Sequence, residues 1–492
     1  MKTITFRHSK MLPSERSIDR CSALVILLPN DSKSVSWNRV PYGDRIKAFL
    51  RQRKVAWKAG ETTSLDLPNQ RSTRTVVLFE PDTQEAFKRL TLAGKIAKQL
   101  FSVSPQTVSI ANCIDEEGGA LLCDAVTVAL LARCAELPSF KSDTPKPASL
   151  QNVHYFGLTK RIDTRRLLAE AQGNELARRL TILPANSLTP GRYRREINRI
   201  AKQQGWRVRF LDIAELKRKK AGAFLAVTQG SATKDAGIVH LSYRPAKSKG
   251  KPVTLVGKGI CFDTGGVNVK SARYMQNMHE DMEGSAVALG TLLALSQLKV
   301  DFPVECWLAL AQNHIGPEAY KPNDVVTATN GTTIEVVHTD AEGRMVLADT
   351  LSLASRSKPK LIIDYATLTG ACVYSLSSSG AFTNRDHFTA SLIEAGRISG
   401  ERVWPFPIDE DFDEAIESDI ADVKQCALEG EADHIIAARF LQRFVDEVPW
   451  IHLDLSAGRN RGGLAHIPTA TTGFGVRFTL ELLLGNRLNL SQ

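Results

Sequence analysis

Two short segments of the 492-residue chain gather ionisable side chains among glycines. The first runs Gly257-Lys258-Gly259-Ile260-Cys261-Phe262-Asp263-Thr264-Gly265-Gly266-Val267-Asn268-Val269-Lys270 and continues to Glu280, Asp281 and Met282. The second is Thr339-Asp340-Ala341-Glu342-Gly343-Arg344. Each reads as the loop that leaves an apolar strand, where glycine permits tight turns and close approach of a ligand or ion. Taken singly, the residues read blandly. A lysine after a strand is commonly a solvated end, and Asp-Thr-Gly-Gly is commonly a turn. Asp340 and Glu342, two apart, point the same way in an extended segment. Four carboxylates brought together raise one another's pKa, so their convergence calls for a cation. An all-carboxylate bridge suits two metal ions roughly 3.5–4 Å apart.

The elements that would position these residues follow from periodicity. Residues 253–256, 304–311, 361–364 and 451–455 read as strands, and residues 285–297 and 344–355 as helices between them. Strands alternating with helices predict a largely parallel sheet covered on both faces, with its chemistry on loops at the carboxyl ends of the strands. Upstream, apolar runs at 23–28 and 75–79 mix with helical stretches at 86–100 and 118–137, again an α/β pattern but without a chemical constellation. Residues 163–180 form a charged amphipathic stretch, and Thr189-Pro190 suits the cap and first turn of the next helix. The expected organisation is an N-terminal α/β domain at 1–160, a connecting helix and turn at 161–190, and a catalytic domain at 191–492 with a mostly parallel central sheet flanked by helices. Two domains also suit the length, since single cores stop growing near roughly 250–300 residues.

Composition is ordinary for a globular chain, at 43% hydrophobic and 24% charged. The first twenty residues lack the apolar run and cleavage site of a signal peptide, and no stretch of about 18 apolar residues spans a bilayer. The expectation is a soluble, cytoplasmic protein. Eight cysteines, at 21, 113, 123, 134, 261, 306, 372 and 426, form no CxxC pair and read as small buried hydrophobes in a reducing compartment. Lys plus Arg exceed Asp plus Glu by 63 − 53 = 10, partly in runs at 51–54, 192–199, 217–220 and 244–251. Such a surplus attracts nucleic acid or acidic partners without specifying which, and solvated surface is the plainer account.

Together the two segments resemble the leucine aminopeptidase (cytosol aminopeptidase) family. The family's Asn-Thr-Asp-Ala-Glu-Gly-Arg run is matched from Thr339 to Arg344. Its Gly-Lys-Gly and Phe-Asp-Ser-Gly-Gly elements are matched at Gly257–Gly259 and Phe262–Gly266, with Thr264 in place of serine. All seven family site positions carry the expected residue: Lys258, Asp263, Lys270, Asp281, Asp340, Glu342 and Arg344. Weaker likeness covers about residues 170–480, including Ala366-Thr367-Leu368-Thr369-Gly370-Ala371 and Thr472-Gly473-Phe474-Gly475-Val476-Arg477. The N-terminal region offers no matching motif.

The resemblance implies a two-metal aminopeptidase acting on the free amino end of peptides. One divalent ion is held by Lys258, Asp263, Asp281 and Glu342. The other is held by Asp263, Asp340 and Glu342, with or without the Asp340 backbone carbonyl. Oxygen ligands suit manganese, zinc or magnesium alike. A lysine ligand must be neutral, and lowering its pKa from about 10.4 to near 7 costs roughly 5 kcal/mol, which direct bonding to a cation can supply. A water between two divalent ions loses its proton near neutral pH, while the substrate's α-amine and carbonyl oxygen each meet a metal. Lys270, kept protonated, stabilises the oxyanion. Arg344 holds a bicarbonate that shuttles protons, a planar ion suited to the guanidinium fork. Met278, Thr367 and Gly370 line the side-chain pocket, implying preference for leucine or another apolar residue; for Met278 core packing is an equal reading. Relatives assemble as hexamers, so a homohexamer is expected.

Some positions depart from the family pattern. His338 replaces asparagine beside Asp340, and Glu283 replaces a glycine just after Asp281, adding negative charge near the metals. Residues 425–433 replace a glycine-rich stretch, and Arg459-Asn460-Arg461-Gly462-Gly463 is unusual. None removes a ligand; together they leave the substrate preference open. A DNA-binding or structural assembly protein retaining the site secondarily is the alternative, and peptidases of other specificity, such as dipeptidases, stay open.

Overall fold

A computed structural model of the chain describes residues 3–83, 85–143, 147–246, 248, 250–375, 379–428, 431–485 and 487–488. Lys247 and Lys249 of the basic run, and Glu429 and Gly430 of the segment at 425–433, lie outside the described residues. The chain forms two compact units, Met1–Ala171 with Arg461–Ala470, and Gln172–Asn460 with Thr471–Gln492.

The first unit contains β1 (Thr5–Ser9), β2 (Ala23–Leu28), β3 (Thr62–Asp66), β4 (Arg74–Phe79), β5 (Thr107–Asn112) and β6 (Asn152–Phe156), in sheet order β1-β6-β5-β2-β4-β3. Neighbours are parallel except β3 with β4. Successive side chains of a strand point to opposite faces. Accordingly Ala23, Val25 and Leu27 pack with helices Ala86–Leu100 and Glu116–Arg133. Leu24, Ile26 and Leu28 pack instead with Ile46 and Leu50 of helix Gly43–Gln52. Burial on both faces explains why β2 reads as an unbroken apolar run.

The second unit contains β7 (Arg207–Asp212), β8 (Gly237–Tyr243), β9 (Val253–Asp263), β10 (Val304–Asn313), β11 (Val325–Thr327), β12 (Thr333–Glu335), β13 (Leu361–Ala366), β14 (Ser379–Thr383), β15 (Val403–Pro405), β16 (Val423–Lys424) and β17 (Trp450–Asp454). Eight of them form one sheet in the order β15-β14-β17-β13-β9-β10-β8-β7, whose centre, β17-β13-β9-β10, is parallel throughout. This mixed α/β architecture is the expected fold class. β11, β12 and β16 form a small separate sheet that periodicity did not predict, each strand being only two or three residues long.

Thr189 caps helix Pro190–Gln204 through its side chain, with proline in the first turn, as the sequence implied. Helix Glu283–Leu298 is buried over nearly its whole length, so it shows no polar stripe. Seven of the eight cysteines are buried, Cys113 is half-buried, and none is in a disulfide among the described residues. No helix among the described residues is long and apolar enough to cross a membrane.

Candidate metal centre

β9 is longer than its apolar start suggests. Gly257, Lys258 and Gly259 do not lie in a loop after the strand but continue it, paired with β10 on one side and, at Gly257, with β13 on the other. Alternation places Lys258 on the face of Val256 and Ile260, and the two glycines on the opposite face. Helix Glu283–Leu298 presses on the glycine face: a Cβ on Gly259 would stand 3.1 Å from the Ser285 hydroxyl. Helix Glu342–Ser355 covers the other face, where a Cβ on Gly343 would stand 2.7 Å from Lys258 Nζ. Glycine at 343 is therefore what admits the lysine beneath the helix. Asp263 ends β9, and Gly265 and Gly266 turn the chain with φ of +87° and +67°. That turn brings Lys270 N to the Thr264 carbonyl at 2.9 Å.

Six predicted side chains meet at this end of the sheet. Lys258 Nζ lies 2.8 Å from Asp281 Oδ1 and 2.9 Å from Glu342 Oε1. Lys270 Nζ lies 2.9 Å from Asp263 Oδ2 and 2.5 Å from Asp340 Oδ1. Asp263, Asp340 and Glu342 offer oxygens that all lie within 4.8 Å of one another, a spacing that could hold a metal ion. Lys258 also donates to the Thr367 carbonyl at 2.7 Å, and the Thr367 hydroxyl donates to Asp281 Oδ1 at 2.7 Å.

The cluster is electrostatically short of positive charge. Burial, reinforced by the Asp263 carboxylate, pushes the carboxyls of Asp281, Asp340 and Glu342 up to about 6, about 7 and about 8. Burial opposes the charge on Lys258 and Lys270, yet the surrounding carboxylates more than offset it and hold both ammonium groups above their ordinary range. Asp281 Oδ2 and Glu342 Oε2 are buried without any hydrogen-bond donor. Unsatisfied buried carboxylate oxygens are costly, and hard oxygen donors so arranged fit a divalent cation.

Several supporting residues carry no local sequence signal. Asn313, at the carboxyl end of β10, donates to Asp263 Oδ1 at 2.8 Å and to the Thr339 carbonyl at 3.0 Å. Tyr320 donates to the same carbonyl at 2.7 Å. Gln425 accepts from the Val337 and His338 amides and donates to the Ala341 carbonyl, pinning the loop that carries Asp340. A polar residue closing an apolar strand was the available hint for Asn313. Nothing marked Tyr320, and Gln425 stood out only as the start of the segment at 425–433 that departs from the family pattern.

The remaining predicted residues fall around this centre. Arg344 is buried, with NH2 2.7 Å from Asp433 Oδ1 and NH1 3.3 Å from the Gln425 carbonyl. Met278 is half-buried in the 3-10 turn Met278–Glu280. Thr367 braces Asp281 and Lys258 as described, while Gly370 is exposed with open space where a Cβ would stand. His338 accepts the Asp340 amide at Nδ1, 3.3 Å away, and burial together with Lys270 lowers its pKa. Burial and nearby Glu280 oppose the negative charge expected of Glu283 and push its carboxyl up to about 8. Arg459 pairs with Glu280, and the residues just beyond it belong to the first unit.

The profile of the cytosol aminopeptidase family's catalytic domain matches residues 175–480. A probable cytosol aminopeptidase of Wolbachia pipientis wMel is 37% identical, over 96% of this chain and 95% of that one. The chain belongs to the cytosol aminopeptidase family. It is an aminopeptidase, a hydrolase of peptides. A probable cytosol aminopeptidase of a Polaromonas species is 35% identical, over 97% of this chain and 94% of its own. A mutant of tomato leucine aminopeptidase superposes with a TM-score of 0.84 at 27% identity, over 98% of this chain and 97% of that one. The bottromycin maturation enzyme BotP, solved in complex with Mn, superposes with a TM-score of 0.82 at 29% identity, over 95% of this chain and 100% of that chain.

Proposed function

We propose that this aminopeptidase uses a pair of divalent cations held by Lys258, Asp263, Asp281, Asp340 and Glu342 to release an apolar residue from the amino end of peptides. The observation that carries the reading is the cluster of four carboxylates, three of them buried, in which Asp281 Oδ2 and Glu342 Oε2 have no donor. Manganese or zinc there would supply Lewis acidity toward both the attacking water and the peptide carbonyl. Asp263 is held in orientation by the Gly265 amide and Asn313, so its oxygens keep their direction before any ligand arrives. The Lys258 ammonium neutralises Asp281 and Glu342; a cation taking over that role leaves the amine free to act as a ligand. Lys270 keeps its proton because acids surround it, and it serves as donor to the oxyanion that forms at the carbonyl.

The open space at Gly370 and the apolar Met278 support an apolar pocket. A panel of substrates differing only in the first residue tests it; equal turnover of lysine and leucine substrates removes the preference. For the metal reading, the protein is stripped with chelator and reloaded with manganese or zinc. About two ions per chain should restore leucine amide hydrolysis. Full activity in the stripped protein ends the proposal.

The bicarbonate implied at Arg344 does not fit the residues present. Both terminal guanidinium nitrogens already have partners, and a free anion there would sit beside the Asp433 carboxylate. Exposed apolar side chains of the second unit, among them Val267, Tyr274, Trp404 and Ile420, support assembly into the homohexamer, which a solution mass measurement tests. Eight cysteines outside any disulfide suit a cytoplasmic setting.

One observation favours the second reading, binding of DNA or another polyanion. A concavity of about 720 Å³ in the first unit is lined by Arg7, Arg16, Arg20, His8 and His154, and among the described residues no carboxylate lines it. Retention of duplex DNA that vanishes at moderate salt would reduce this to surface charge.

A further inference from the structure

We infer that Asp433 is the resident counter-anion of Arg344, so that this site works without a dissociable oxyanion; the inference rests on the carboxylate cluster being the catalytic centre. Arg344 lies two residues beyond Glu342, and its side chain is only 3% exposed. A buried guanidinium requires an anionic partner. Asp433 provides it, with Oδ1 2.7 Å from NH2. NH1 faces the Gln425 carbonyl at 3.3 Å, and only Nε lacks a partner. A planar anion binds arginine through two parallel N–H groups, and any such pair here includes a nitrogen already bonded to Asp433 or to the Gln425 carbonyl.

The chain fixes Asp433 for this task. Ala432, in the left-handed region at φ +56°, starts helix Asp433–Gln442, which places the carboxylate in the first turn where the helix dipole favours negative charge. Ile435, Ile436, Phe440 and Leu441 anchor the helix in the core. The Asp433 side chain is 30% exposed, so one side of it meets buried Arg344 while the other meets water. His338 and His434 also feel its charge. Asp433 is thus a positioning residue: it holds the guanidinium and fills the place where an external anion would dock. The sequence signal was present, since residues 425–433 stand where the family carries glycines, but the pairing across 89 positions was not legible.

The test compares full-length, metal-loaded wild type with Asp433→Ala and Asp433→Asn in carbonate-free buffer. Binding of ¹³C-bicarbonate is followed by NMR line broadening, and leucine amide hydrolysis is followed as bicarbonate is added. Wild type should show no saturable binding and no change in rate. The variants should lose about 10–100-fold in rate, gain saturable bicarbonate binding, and recover rate as it binds. Saturable wild-type binding that disappears in Arg344→Ala overturns the inference. So does a rate loss in the variants that bicarbonate does not recover while melting temperature and metal content stay at wild-type values, and so do variants that bind no bicarbonate and lose no rate. If the variants fail to fold, wild-type binding alone decides. If metal-loaded wild type hydrolyses nothing, the catalytic reading fails while the binding comparison still judges Asp433.

Discussion

Helix Glu342–Ser355 carries two buried carboxyl groups seven residues apart, and they serve opposite ends. Glu342 and Asp349 are both almost wholly inaccessible, and burial pushes both upward, to about 8 and about 7. Their partners differ. Asp349 Oδ2 accepts the Phe224 amide at 2.8 Å and Oδ1 accepts the Thr329 amide at 2.6 Å, so the protein satisfies both oxygens itself. Glu342 has Lys258 on Oε1, nothing on Oε2, and Asp263 and Asp281 as like-charged neighbours. Burial and a raised pKa therefore do not distinguish a site from a structural brace. Between these two acids, the unsatisfied oxygen does.

The sharpest way to break this contrast is to neutralise each acid in turn. Glu342→Gln should lower kcat/KM for leucine amide by roughly 10³-fold or more and reduce bound metal. Its melting temperature should hold or rise, because a repelled buried charge is gone. Retained metal and activity would place Glu342 with Asp349 as a mere brace. A gentler perturbation enters through the glycine beside it. Gly343→Ala brings a methyl to 2.7 Å from Lys258 Nζ and Cε. The lysine must shift against Asp281 and Glu342, and about a tenfold loss of metal affinity is expected from titration of the stripped protein. Unchanged affinity would mean that the lysine has room that the packing does not indicate.

How much of this was legible follows the same division. Asp263, Asp340, Glu342 and both lysines stood out because ionisable groups sat among glycines in short runs. Parallel strands carry such groups to one edge, so local sequence sufficed. The interior of β9 was misread as a loop because glycine and lysine are poor strand formers, and tertiary pairing with β10 and β13 overrides that preference. Asn313, Tyr320 and Gln425 act through hydrogen bonds across distant segments, and one amide or phenol in a chain carries no period to read. Asp349 was invisible for the same reason: its partners, at 224 and 329, are loop and helix-end amides far from it in sequence.

Asp349→Asn reverses the expected outcome of Glu342→Gln. One amide nitrogen must then face a backbone N–H, so stability should fall by about 1–3 kcal/mol while kcat/KM stays within about twofold. Chemical denaturation and leucine amide kinetics on the same preparation check both halves. A large loss of activity without loss of stability would move Asp349 into the site.

The smallest effect is in the pH dependence of that same substitution, and its sign discriminates. Burial raises the Asp349 carboxyl to about 7, above the ordinary range near 4. Below roughly pH 4 the proton is bound in folded and unfolded chains alike, and the group's contribution to stability is fully present. Between there and about 7 the unfolded chain releases a proton that the folded chain keeps, so the contribution declines as pH rises through that window. Asp349→Asn cannot titrate. The melting temperature of wild type minus that of the variant should therefore fall from pH 4 to 7 and level off above. A difference that grows with pH would mean that the Phe224 and Thr329 amides hold the carboxylate ionised, and that backbone donors outweigh burial at this position.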